Sequence, residues 1–349
     1  MPLAMHMANE LLSIPVAVVT LVLAGAIVAA AAAAARRTLT PERLPLMGIV
    51  GAFVFAAQMI NFTLPGMPGT SGHLGGGVLL AIALGPAAAI VTMAAILIVQ
   101  CLLFQDGGLL ALGCNIINMG VVPCLLGWGL YRVLLGQAAR AKAWRQYLAA
   151  WAGCVLGVVA GAALVPVQAG VSGVLRVPVG DFLAVMIGVH LVIGLIEGLI
   201  TFAVVAYLRR VRPAAIGLAG PDGAGRRFSP RAVGASLLAT ALLLAGVVSW
   251  FASSHADGLE SALDRPYGQT DGALSEPSPA VTRATEFQAG LAPLPDYTRP
   301  SPGGDDGQAA EAAWPAVDGW GSLAGVVGTV VTLGVVYLAS LAMRRRRPA

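Results

Sequence analysis

Charge is what this chain has least of. Only 11% of its 349 residues are Asp, Glu, Lys or Arg, where soluble globular proteins average about 25%. With 57% hydrophobic residues and a mean hydropathy of +0.81, that shortage excludes a water-soluble fold and defines an integral membrane protein. Cysteine is scarce too. Cys101, Cys114, Cys124 and Cys154 all sit inside apolar stretches without C-x-x-C spacing, which excludes a disulfide framework or zinc finger and leaves them as small core residues. No G-x-x-x-x-G-K-[ST] segment occurs, so the chain does not bind and split ATP through a P-loop of its own. Neither H-E-x-x-H nor G-x-S-x-G is found, and an enzyme reading has no constellation to rest on. The start of the chain lacks the basic region and small-residue cleavage pattern of a signal peptide, so the first apolar segment is expected to be retained. The net charge of +4 comes from basic residues in short loops and at the C-terminus. There they set membrane orientation, and no nucleic-acid partner is expected.

What is present is apolar length. A bilayer core of about 30 Å takes about 20 residues per helical crossing, and segments 12–35, 46–62, 109–134, 146–168, 181–208, 232–252 and 320–343 qualify. The run 74–104 is too long for one upright crossing and is interrupted by Gly85-Pro86. Charge decides how to divide it. Arg36, Arg37 and Arg43 follow the first helix, and Arg132, Arg140, Lys142 and Arg145 form the next basic cluster. Both belong on the cytoplasmic side only if the run makes two crossings, a short helix 74–84 and a longer one 86–104. An 11-residue helix rises only about 16 Å, so the glycine-rich loop before it, Gly69 to Gly77, is expected within the depth of the membrane. Irregular backbone is tolerated there when it lines a cavity or is enclosed by protein. Nine crossings follow, N-terminus outside and C-terminus inside. Residues 253–319 hold eleven Asp/Glu against three Arg and are rich in Pro, Gly, Ala and Ser. Beyond their first dozen residues they are expected to be a largely disordered extracytoplasmic tether, one whose removal between 265 and 315 leaves metal affinity nearly unchanged.

The candidate chemistry gathers on the outer side. In Met5-His6-Met7, a histidine follows a methionine whose α-amine, were it free, would offer three nitrogens together with the His6 peptide nitrogen and imidazole. Such a set suits the square plane favoured by Ni²⁺ and Cu²⁺, and a second imidazole, His73, supplies the fourth corner. Topology alone places His6 and His73 on one side. Asn9 and Glu10 either orient this segment or simply begin a helix. Gln58 and Asn61 near the end of the second helix read equally as packing groups or as supports of the site. Gln100, Gln105, Asp106, Asn115 and Asn118 form a polar band that holds the loop or caps helix ends. His190 and Glu197 share one face of the helix 181–208, and ionisable groups at that depth carry function or satisfy buried partners.

Four of these stretches together resemble a known family. Met5-His6-Met7, Ser71-Gly72-His73 before Leu84-Gly85-Pro86, Gly107-Gly108-Leu109 through Leu112-Gly113-Cys114-Asn115 to Asn118-Met119-Gly120, and His190 to Gly194 and Glu197 are similar to the substrate-capture subunit of cobalt and nickel energy-coupling-factor transporters. The likeness covers about residues 5–210. Ala256-Asp257-Gly258-Leu259-Glu260 resembles the Pro-Asp-Gly-Leu-Glu signature of the two-helix accessory component of nickel systems, with Ala256 in place of Pro. The resemblance implies a fusion of the two, with an all-α membrane fold of about seven helices in a bundle plus a C-terminal helical hairpin. It divides the chain into residues 1–212, a metal-capture bundle, a cytoplasmic linker 213–230, and an accessory part 231–349.

The resemblance also implies a role. The chain is expected to capture Ni²⁺ as a transported substrate, with Co²⁺ the runner-up, at Met5, His6 and His73, and to hold no catalytic cofactor. From the residues themselves, Asn61, Asn115, His190 and Glu197 are expected either to support that site or to act as structural polar groups between helices. A transmembrane coupling protein and two cytoplasmic ATPase subunits are the implied partners, and the bacterial inner membrane the location. Two rivals remain: an intramembrane metalloenzyme using His73, His190 and Glu197, and a proton-driven carrier with Glu197 as relay. Because the amine must adjoin His6, the functional N-terminus is expected at Met5 rather than Met1.

Overall fold

The computed structural model describes residues 6–39, 44–136, 142–211, 229–267, 273–298 and 314–343. Met5, Arg43, Arg140 and most of the expected linker lie outside the described residues. The chain is an all-α membrane protein. Among the described residues, six helices are long and apolar enough to cross a bilayer, and a two-residue antiparallel pair, β1 (Phe62–Thr63) with β2 (Ser71–Gly72), is the only sheet.

In chain order the helices are α1 (Ile14–Thr38), α2 (Leu44–Gln58), α3 (Gly77–Leu84), α4 (Pro86–Phe104) and α5 (Leu112–Leu135). There follow α6 (Ala143–Ser172), α7 (Val179–Val211), α8 (Pro230–Gly246), α9 (Gly258–Tyr267), α10 (Pro279–Leu291) and α11 (Gly319–Met343). The split of 74–104 is where the charge argument puts it. Gly85, at φ 85°, takes a backbone shape that only glycine adopts cheaply, and Pro86 then opens α4 at a position where its missing N–H costs nothing. α2 stops at Gln58, earlier than the apolar count to 62, because Phe62 and Thr63 turn back as β1 to pair with the glycine-rich loop.

Burial sorts the helices. Every residue of α3 is buried, as are most of α2 and α4, so these three form the centre of the bundle. α1 instead exposes Val18, Val19, Val22 and Leu23, as a helix facing lipid does. α5 is a helix with two π-type stretches, Ile116–Val121 and Pro123–Gly127, a wider winding found frequently near functional sites. It lies hard against α6: a Cβ on Gly161 would collide with the Asn118 carbonyl. At the end of the bundle away from His6, Arg145 donates to the Leu134 carbonyl and Arg209 to Gln146, both at 2.6 Å.

The first dozen residues of 253–319, excepted from the expected disorder, are ordered, and α10 shows order in the described residues beyond them, where the expectation is corrected. Ser278 caps α10 by accepting from Val281 N, with Pro279 in its first turn. Leu259, Ala262 and Leu263 of α9 join the apolar cluster of Met7, Leu11, Phe182 and Met186. Composition argues for disorder only when a segment must bury its own surface. Here the bundle supplies the surface.

Candidate metal centre

His6 and His73 reach one another from distant parts of the chain. Their rings meet edge to face with centroids 5.3 Å apart, His6 buried and His73 half-buried. Beneath them lies a cavity of about 90 Å³, lined also by Asn115, Met119, His190 and Glu197 and roofed in part by Leu259 of α9. Among the described residues no three His, Cys, Asp or Glu side chains converge as a metal site. Three imidazoles, those of His6, His73 and His190, line the cavity, and of these His6 and His73 meet ring to ring.

Each imidazole is held by an element fitted to it. The N-terminal segment is clamped like a strand, because Asn115 accepts from Met7 N and donates to Met7 O, each at 3.1 Å, while Gly108 N donates to the same carbonyl at 3.0 Å. On the other side, Glu197 accepts from Gly75 N at 2.7 Å and from Gly76 N at 3.1 Å. These bonds pin the loop two residues beyond His73, whose Nδ1 lies 3.1 Å from the Leu74 carbonyl. Gly76, with φ +77° and a Cβ that would lie 2.5 Å from Val54, calls for glycine, while a Cβ on Gly75 would sit 2.9 Å from Glu197 Oε2 and displace the carboxylate that holds the loop. A fully buried carboxylate so placed is compensated by the two backbone donors it accepts. Gln58 completes the cradle, donating to the Gly75 carbonyl at 2.8 Å.

Asp106 stands against His6, Oδ1 to Nδ1 at 2.9 Å. Burial pulls the His6 pKa down, but the attraction of Asp106 outweighs it and the net shift is upward. Burial likewise pushes Asp106 up, and His6 more than offsets it, leaving that carboxyl below the usual carboxylate range. His6 Nδ1, His6 Nε2 and Asp106 Oδ1 are all buried without a hydrogen bond of standard geometry among the described residues, so His6 and Asp106 meet as an ion pair at 2.9 Å. Asp257, which caps α9 by accepting from Glu260 N at 2.8 Å, is pushed up to about 7 by burial.

The sites named from sequence separate into groups. His6, His73, Asn115, His190 and Glu197 all line the cavity. His190 turns its Nδ1 to the Met186 carbonyl of its own helix at 2.8 Å. Asn61 does not line this cavity, which leaves the structural one of its two readings. It lines a second, more open cavity of about 420 Å³, and its carbonyl accepts from Ser253 N at 2.8 Å. Chain reversal after Gln58 swings it away. Met5 lies outside the described residues.

Three contributors from the C-terminal part went unnoticed in the sequence. Gln288 of α10 accepts from Asn9 Nδ2 at 3.1 Å and Leu109 N at 2.8 Å, and donates to the Gly107 carbonyl at 2.8 Å. Tyr297 donates to Asp106 Oδ2 at 2.7 Å. Ser71 N donates to the Ala256 carbonyl and Ser71 Oγ to that of His255, both at 2.8 Å. The Ser278-Pro279 cap before a mixed apolar and polar stretch was the available signal for α10. Nothing local marked Gln288 or Tyr297.

The fold and the paired histidines define a multi-pass membrane protein built around a small histidine-lined pocket. The chain belongs to the family described as the cobalt uptake substrate-specific transmembrane region, whose model matches residues 6–215. A PDGLE domain model matches residues 231–345. A Haloquadratum walsbyi protein named as a candidate metal transport protein is 39% identical over 51% of this chain and 78% of its own length. An Archaeoglobus fulgidus protein named as a candidate fused nickel transport protein is 32% identical over 84% of both. A crystal structure titled as a transition metal transporter superposes with a TM-score of 0.52 at 30% identity, covering 59% of this chain and 93% of that one.

Proposed function

We propose that this chain is the substrate-binding membrane subunit of an ATP-driven nickel uptake transporter, with Co²⁺ as the competing cargo. The observation that carries the reading is the meeting of His6 and His73, on two separately clamped segments, with ring centroids 5.3 Å apart at a cavity that both line. The relative named for nickel matches along most of its length, accessory part included, while the family description names cobalt. In this reading the Met5 amine, the His6 peptide nitrogen and the His6 imidazole form a planar chelate, and the His73 imidazole closes it. Low-spin Ni²⁺ gains more than Co²⁺ from four strong-field nitrogens in a plane.

The parts then take roles. Residues 1–212 form the capture bundle, 213–230 a cytoplasmic linker, and 231–349 the accessory part, in a bacterial inner membrane with the N-terminus outside and the C-terminus inside. Energy comes from separate partners, a transmembrane coupling protein and two cytoplasmic ATPases. Asn115 holds the N-terminal segment and Glu197 holds the loop of His73. Metal analysis of the purified chain after loading with equal Ni²⁺ and Co²⁺ tests the reading. Near-stoichiometric nickel in the wild type and its loss in a well-folded His73→Ala variant are expected. Unchanged nickel in that variant would sink the ligand assignment, and preferential cobalt would reverse the choice of cargo.

A further inference from the structure

His6 is held by the atom that the proposed chelate needs. A ring joining the His6 peptide nitrogen to its own imidazole through a metal closes with six members through Nδ1, while Nε2 lies on the far side of the imidazole. In the structure Nδ1 stands 2.9 Å from Asp106 Oδ1. Metal and carboxylate therefore compete for one nitrogen. Asp106 is in turn held by the Tyr297 hydroxyl at 2.7 Å. Tyr297 is fixed by stacking on Phe104, with centroids 4.5 Å apart, and by Leu294 N donating to the Leu103 carbonyl at 3.1 Å.

The pair also occupies a boundary. His6 lines the inner cavity, whereas Asp106 and Tyr297 line the outer one together with Asp296 and Asp318. A cation approaching through the outer cavity meets Asp106 before it meets His6.

We propose that Asp106 and Tyr297 are positioning residues of metal capture. Asp106 holds His6 by Nδ1 until a divalent cation arrives and then releases it to the metal, the protons of Nδ1 and of the His6 peptide nitrogen leaving to solvent. Tyr297, from the segment that follows α10, keeps the carboxylate partnered after His6 has gone. Without that hydroxyl the exchange would leave a buried carboxylate with no donor, which is strongly unfavourable. The inference rests on the ligand set proposed above.

The two neighbours then act with opposite sign. Asp106→Asn weakens the hold on Nδ1, so nickel loading of the full chain should accelerate several-fold. Tyr297→Phe removes the donor that makes release tolerable, so loading should slow several-fold. In the Asp106→Asn background there is no charge left to strand, and Tyr297→Phe should then have little further effect, a non-additivity that marks direct coupling. Loading is followed by rapid mixing of the purified, metal-stripped full chain with Ni²⁺, with thermal melts checking that each variant is folded. Both single variants slowing loading, or additive effects in the double variant, would reduce the pair to a structural support and overturn the proposal. His73→Ala separates the levels. Full nickel retention in that variant brings down the ligand set and this proposal with it, whereas loss of nickel there alongside same-sign effects at Asp106 and Tyr297 brings down this proposal alone.

Discussion

His6 carries two opposed demands on its proton. Its ion pair with Asp106 stabilises the metal-free protein, and ligation requires the proton to leave. The His6 pKa is raised above its ordinary value of about 6.5. Its contribution to stability is therefore complete below that ordinary value and lost as pH rises through the folded one. Asp106 is lowered, so its contribution is present above the ordinary value of about 3.9 and lost as pH falls through the folded one. The pair is strongest between roughly pH 4 and 6.5. Nickel affinity should run the other way, falling as the medium is acidified through the raised His6 pKa, with protons released on loading. Thermal melts across pH with and without nickel check this: the shift produced by nickel should grow with rising pH, and a pH-independent shift would contradict it. At Glu197 the expected effect is geometric. Glu197→Gln presents one acceptor oxygen and one amide NH₂ donor to the N–H groups of Gly75 and Gly76, so nickel affinity should fall about tenfold, the usual cost of disturbing a support around a metal ligand. Titration against a competing chelator measures it. The histidines were legible because the chain has only four and topology put two on one side. Asp106 was visible only as one of a polar band, since its pairing depends on how the 105–110 turn folds back over the N-terminal segment.

At the scale of elements, apolar run length was enough to find the helices, including the break at Gly85-Pro86, although among the described residues six helices, against nine expected crossings, are long and apolar enough to span a bilayer. Run length is a local signal, and the bilayer makes it strong. Both readings of Asn61 stayed open because apolar counting could not show that the chain turns back after Gln58 to form β1. The larger misreading was of the described residues of 253–319 beyond the first dozen, where low hydrophobicity was taken as inability to order. α9 and α10 order by docking, through Leu259 and Leu263 on an apolar cluster and through Gln288 on backbone groups of the 101–109 region. The hydrogen bonds of Gln288 and Tyr297 give the expectation that this segment is dispensable for affinity a direct test. Replacing residues 279–298 with a Gly/Ser chain of equal length removes the bonds of Gln288 and Tyr297 to Asn9, Gly107 and Asp106. Nickel release into excess chelator should then accelerate by an order of magnitude or so, since several charge-assisted and buried hydrogen bonds are lost together. Release at the wild-type rate would show that the segment merely rests on the bundle.

At the scale of the molecule, the residues that meet at the site come from both matched regions, 6–215 and 231–345. His6 and Asp106 belong to the first and Tyr297 to the second. A fused chain fixes the local concentration of one part beside the other, so docking across them needs no encounter in the membrane. The central claim is a planar nitrogen site for the cargo ion, built from His6 and its N-terminal neighbour together with His73. X-ray absorption spectroscopy at the nickel edge on the loaded, full-length protein reads that site directly. Four nitrogen ligands in a square plane, with scattering from two imidazoles in the wild type and from one in any nickel retained by His73→Ala, is the result expected. A six-coordinate, oxygen-rich nickel, or a spectrum unchanged by His73→Ala, would contradict the account.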